Sequence, residues 1–112
     1  MPRKPKMKNL SPAALDMIAA RFRVLSDPSR LALLHALMEG ERNVAQLVEH
    51  TGLSQANASK HLSQLAEAGF LARRKDGLFT WYGVADPGVF ELCDLMCGSI
   101  ARKLGRDLQE IA

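Results

Sequence analysis

Two cysteines in 112 residues are too few for a disulfide scaffold. The longest apolar runs are only a few residues, far short of the roughly 20 that a bilayer-spanning helix needs, so no membrane partner is expected. Residues 1–10 carry Arg3, Lys4, Lys6 and Lys8 but no apolar stretch, so no secretory signal is read there, and a reducing cytoplasmic location is expected. There is no glycine-rich phosphate loop, no nucleophile–base–orienter trio and no carboxylate pair at a suggestive spacing, so an enzyme is not expected. Internal repeats and low-complexity segments are also lacking. What is there is the material of one small domain: 47% hydrophobic and 24% charged, a globular rather than a disordered composition.

The net charge of +3 is unevenly placed. Four of the fifteen basic residues lie in residues 1–10, which hold no acid, leaving eleven bases against twelve acids in the rest. Attraction to a polyanion must therefore come from local placement rather than from the overall balance. Residues 1–10, with two prolines, read as a flexible basic arm, and 11–112 as the folded domain.

Ser11-Pro12 reads as a helix N-cap followed by proline at the first helical position. Leu15, Ile18, Ala19, Phe22 and Leu25 then form a stripe at helical spacing. Asp27-Pro28 repeats the start signal, Leu31, Leu34 and Leu37 continue it, and Gly40 is expected to stop it. Glu41 to Val44 reads as a short strand or an extended link. A short helix over about 45–50 and a second over about 55–68 flank Thr51-Gly52-Leu53-Ser54, where Gly52 allows a sharp turn and Ser54 caps the second helix. That second helix should bury Ala58, Leu62, Leu65 and Ala66 and leave Gln55, Asn57, Lys60, Ser63, Gln64 and Glu67 mostly outside. Two short helices about a glycine-containing turn make a helix-turn-helix pattern.

Past Gly69, Leu71 to Lys75 and Leu78 to Val84 flank Asp76-Gly77, the sequence signal of a type I′ hairpin turn. Phe79, Trp81 and Tyr82 suit the second strand. From Pro87 a last helix is expected toward Ile111, with Val89, Cys93, Met96, Ile100, Leu104, Leu108 and Ile111 along one apolar stripe.

The order predicts a mainly α fold with a β-hairpin wing, a winged helix-turn-helix dimerising through its terminal helices. Short polar side chains on the second helix can approach base edges in a major groove: Gln55 and Asn57 suit adenine, Lys60 guanine or phosphate, and Ser54 and Ser59 phosphate, with Gln64 on the same outward set. Arg73, Arg74 and Lys75 on the hairpin can reach phosphates. Each feature alone is the ordinary solvated face of an amphipathic element, and their order and spacing together carry the reading. A winged helix that binds only proteins is the rival class, and a steep salt dependence of DNA affinity separates the two. The apolar stripe of the last helix exceeds what so small a domain covers, which predicts a homodimer. Its two recognition helices would lie about 34 Å apart, on an inverted-repeat operator in double-stranded DNA.

The stretches FRVLSDPSRLALLHAL (Phe22–Leu37), LVEHTGLSQANASKHLSQLAEAGFLARRKDG (Leu47–Gly77) and WYGVADP (Trp81–Pro87) resemble the ArsR/SmtB bacterial repressors. The resemblance implies a homodimeric transcriptional repressor that leaves its operator when an inducer, often a metal or metalloid, binds. Matched along the motif, it nominates Ser54, Gln55, Asn57, Ser59 and Lys60 for DNA, and leaves His61 as a packed or capping residue rather than a base reader. Arsenic sensors of the founding type carry Cys-x-Cys before the turn, where this chain reads Ala45-Gln46-Leu47. Zinc sensors of the family use Asp and His on the final helix, whereas His35, His50 and His61 all precede the wing.

Cys93 and Cys97 are the only thiols, four residues apart on the last helix, a spacing that places Cβ atoms roughly 5–6 Å apart on one face. Such a pair can hold a soft ion of the As(III), Sb(III), Cd(II) or Zn(II) class, completed by a further ligand or by the thiols of a twofold partner. Neighbouring Gly98 would admit a close backbone there. No cofactor is needed for DNA binding itself. Two other readings stand beside this one: a thiol redox or persulfide switch, and cysteines that simply fill a dimer core.

Overall fold

The structure, a computed structural model, describes residues 7–105. A single 3-10 turn, Met7–Asn9, lies within the segment expected to be a basic arm; Arg3, Lys4 and Lys6, like Leu108 and Ile111, lie outside the described residues. Helix α1 (Pro12–Leu25) starts where Ser11 Oγ accepts a hydrogen bond from Ala14 N at 3.1 Å. Helix α2 (Pro28–Ala36) starts where Asp27 Oδ1 accepts from Ser29 N at 2.8 Å and Arg30 N at 3.1 Å. It ends at Ala36, earlier than the glycine stop predicted at Gly40, because the chain turns through Leu37 to Glu39 first. Helix α3 (Val44–Thr51) opens with a reciprocal capping box between Asn43 and Gln46 and ends at Gly52, whose φ of +77° supplies the left-handed turn. Helix α4 (Gln55–Glu67) comes next, capped by Ser54 Oγ accepting from Asn57 N at 3.1 Å.

Strand β1 (Arg42–Asn43), the short strand expected before α3, joins β2 (Leu71–Asp76) and β3 (Phe79–Val84) in an antiparallel sheet of order β1-β3-β2. Asp76 pairs with Phe79, so the turn residues are Gly77 and Leu78 rather than the predicted Asp76-Gly77. Only Gly77 has positive φ (+62°), the sign pattern of a type II′ turn. The reason is conformational: type I′ needs positive φ at both central residues, whereas type II′ needs it only where the glycine stands. Helix α5 (Gly88–Leu104) completes the described fold.

The core gathers Leu33, Leu34 and Leu37 around α2, Leu47 from α3, and Leu62 and Leu65 from α4, closed by Phe70, Leu71, Tyr82 and Val89. Leu33 takes the buried place that helical spacing gave to Leu31, which is exposed. Helix α1 buries none of its residues, and Leu15 and Phe22 of its stripe are exposed. Helix α5 buries only Val89 and Ala101. Much of the α1 stripe and most of the α5 stripe therefore face away from this core, while Leu25 packs against its edge. Arg21 ties α1 to the approach of α5, with Nη2 3.3 Å from Asp86 Oδ2 and its guanidinium 4.3 Å from the Phe70 ring centre. No helix among the described residues is long and apolar enough to cross a membrane.

Candidate nucleic-acid interface

Ala58, Leu62 and Leu65 pin one side of α4 into the core, and Ala66 is half-buried beside them. Gln55 in the first turn, and Asn57 and Lys60 on the side away from the core, are all exposed and, among the described residues, without side-chain hydrogen bonds or ion pairs. Ser54 is exposed with its oxygen already capping the helix, and its hydroxyl proton can still be donated. Ser59 is half-buried at the edge of this surface. The helix thus carries short polar groups on a rod fixed from behind by a dry core, which is what base-edge recognition needs.

On the wing, strand alternation sorts the three bases. Arg73 pairs with Tyr82 and Lys75 with Thr80, so both share the sheet face of Leu71 and Tyr82, the face turned toward the helices. Neither forms an ion pair among the described residues. Arg74 lies on the other face opposite Trp81. Its Nε and Nη2 donate to Glu41 Oε2 and Oε1 at 3.2 and 3.1 Å, Asp76 Oδ2 lies 3.7 Å from Nη1, and the guanidinium stands 5.8 Å from the Trp81 ring centre. The hydrogen-bonded Arg74 guanidinium holds the Glu41 carboxyl below its usual range, and Glu41 in turn raises Arg74. Arg74, predicted as a phosphate contact, is therefore ion-paired within its own protein while remaining half-exposed.

Gln64 also departs from the expectation of an outward residue. It is half-buried, and its Oε1 accepts from Arg30 Nη1 at 2.9 Å. His61 is packed as expected, its Nδ1 3.1 Å from Arg30 Nη1 and 3.3 Å from Gln64 Oε1. The reason for both is Arg30, which falls within the Phe22–Leu37 stretch but takes no role from the sequence, where it shows only as the one arginine of α2. Asp27 beside it has its carboxyl held below the usual range, first by the hydrogen bond from the Arg30 backbone N–H.

Cys93 and Cys97 are free thiols, both half-buried on α5. Cys93 lines a groove of about 590 Å³ between α2, α3 and α5, together with His35, His50 and Asp94. Burial, and secondarily the Asp94 charge, pushes the Cys93 thiol up. Among the described residues, no three His, Cys, Asp or Glu side chains come together as a metal ion would require. The two thiols supply a soft pair of donors, and a closed tetrahedral site would need ligands from beyond the described residues of one chain.

Residues 27–73 match the arsR family of bacterial regulatory proteins. The chain is 47% identical over 77 residues to a probable mercury resistance operon repressor of Streptomyces lividans, a match covering 69% of this chain and 62% of that protein's length. It is similar to the crystal structure of Rv0081 of Mycobacterium tuberculosis at a TM-score of 0.75 and 32% identity, covering 92% of this chain and 100% of that one. It is also similar to a homodimeric winged helix-turn-helix DNA-binding domain of Mycobacterium bovis, at a TM-score of 0.72 and 29% identity over 93% and 94% of the two chains.

Proposed function

The chain belongs to the ArsR family of bacterial transcription regulators, and on that footing we propose that it is a homodimeric repressor of an inverted-repeat operator, released by a soft thiophilic ion. The observation that carries the DNA reading is the exposed, unpartnered set of Gln55, Asn57 and Lys60 on a helix pinned into the core along one side. In this reading Gln55 and Asn57 read base edges, and Lys60 a base edge or phosphate. Ser54 and Ser59 take phosphates, and Arg73 and Lys75 hold the flanking backbone. Arg74 and Gln64 shape the surface instead of touching DNA.

Operator titration across a range of salt tests this directly. Asn57→Ala is expected to cost about 1–3 kcal/mol and to relax discrimination at one base position. Arg73→Ala with Lys75→Ala should weaken binding to all duplexes and reduce the log–log salt slope by roughly two. Arg74→Ala should change that slope less than either single substitution, because Glu41 already balances its charge. A slope untouched by the Arg73/Lys75 pair would remove the wing from the interface.

The inducer reading rests on Cys93 and Cys97 at chelating spacing, both half-buried on the helix that exposes Leu95, Met96, Ile100 and Leu104. Similarity to a mercury resistance repressor supports a thiophilic ion. A donor set of two thiols in one chain suits an ion content with few ligands, mercury among them, while arsenite, antimonite, cadmium or zinc would draw further donors from the second copy. Binding at α5 would release DNA by favouring a dimer geometry that fits the operator less well, a coupling of typically about 1–3 kcal/mol. Cys93→Ser with Cys97→Ser should abolish ion-induced release while leaving operator affinity intact. Because the Cys93 proton must leave on ligation and its pKa is raised, ion affinity should increase as pH rises. Ion-induced release that survives the double substitution would place the sensor elsewhere.

A further inference from the structure

The guanidinium of Arg30 is a junction of three helices. Its side chain is only 15% exposed. Nε donates to the Val24 carbonyl and Nη2 to the Arg23 carbonyl at 3.4 Å, both at the end of α1. Nη1 donates to Gln64 Oε1 at 2.9 Å and reaches His61 Nδ1 at 3.1 Å, both on α4. Asp27, the cap of its own helix α2, places Oδ2 3.9 Å from the same nitrogen. The two hydrogens of Nη1 can serve Gln64 and His61 together when Nδ1 is unprotonated. No other side chain offers a rigid fork of five donors, so none could hold two carbonyls on one helix and two acceptors on another.

We infer that Arg30 is a positioning residue for operator recognition, clamping α4 through Gln64 and His61 to the end of α1 and so setting the tilt of the base-reading residues. This rests on the reading of α4 as the recognition helix. Gln55 lies nine residues from Gln64, about 13 Å along the helix at 1.5 Å per residue. A tilt of about 10° at the clamp would therefore move the Gln55 end by about 2 Å, well beyond the roughly 0.5 Å that a working site tolerates. The clamp also runs from α1, which exposes Leu15 and Phe22, so the seating of α1 against a second copy would be felt at α4.

The test compares the full-length wild type with Arg30→Gln, Arg30→Lys and Gln64→Leu, titrated with operator and with an unrelated duplex at several salt concentrations. For Arg30→Gln, operator affinity should fall roughly tenfold or more, as when a base pair is misread. Unrelated-duplex affinity should stay within about twofold and the salt slope should be unchanged, since Arg30 touches no phosphate. Arg30→Lys should fail to restore affinity, because a point charge lacks the fork. Gln64→Leu should lose operator affinity in part, and adding it to Arg30→Gln should cost little more. Operator affinity within about twofold of wild type, a slope reduced by about one, or full rescue by lysine would each overturn the inference. If Arg30→Gln does not fold by circular dichroism, Gln64→Leu decides, since it leaves the α1 anchors in place: unchanged operator preference there overturns the clamp. Asn57→Ala separates the two levels. Should it also leave operator binding intact, the recognition-helix reading fails; should it alone impair binding, only the clamp does.

Discussion

Met96→Glu combined with Ile100→Glu is expected to convert the protein to a monomer and to lower operator affinity by about 10²–10⁴-fold, the avidity lost when two linked contacts become one. Met96 is 61% and Ile100 40% exposed in the single chain, one turn apart on α5, with Leu95 at 72% beside them. A monomer seldom leaves so much contiguous apolar surface in water. Burying each such side chain stabilises an interface by about 1.5–3 kcal/mol, and twofold symmetry counts every one twice. The radius of gyration, 15.9 Å against about 13 Å for a compact chain of this length, is that of an extended protomer. Two buried carboxylates on each side would cost more than the interface gains. Neither residue belongs to the core cluster that holds α4, so each protomer should stay folded and keep weak, sequence-independent DNA binding. Sedimentation equilibrium beside operator titration checks both halves. A variant that remains dimeric would move the interface off α5.

Leu62→Ala is expected to destabilise the fold by about 2–5 kcal/mol, the range for a fully enclosed leucine whose neighbours cannot collapse into the space. Leu62 is 0% exposed, on the inner side of α4 and within the same cluster as Leu33, Leu47 and Leu65. The loss should appear as a lower denaturation midpoint at an unchanged slope, measured at fixed protein concentration because dimerisation adds to apparent stability. Gln55→Ala, on the outer side of the same helix, should change stability by no more than about 0.5 kcal/mol while impairing DNA binding. That pair of outcomes would divide stability from recognition within one helix. A Leu62→Ala loss below about 1 kcal/mol would mean that α4 is not packed as described.

Local chemistry made much of this protein legible in its sequence. Ser11, Asp27 and Ser54 stand at helix starts because their oxygens satisfy N–H groups two or three residues on, and Gly52 makes a turn whose positive φ other residues resist. The spacing of Ala58, Leu62 and Leu65 therefore gave the inner face of α4 and, by complement, its solvent-facing residues. Tertiary structure alone decided which polar side chains remain free. Gln64 and Arg74 look as available in the sequence as Asn57 and Arg73, yet Arg30 and Glu41, 34 and 33 residues away along the chain, occupy them. Such pairings depend on how α1, α2, α4 and the sheet pack together, because a hydrogen bond forms within about 3 Å and no periodicity encodes a distance between separate elements. For the same reason the sequence could place two thiols on one helix face, while any further donor beside them depends on how separate elements come together.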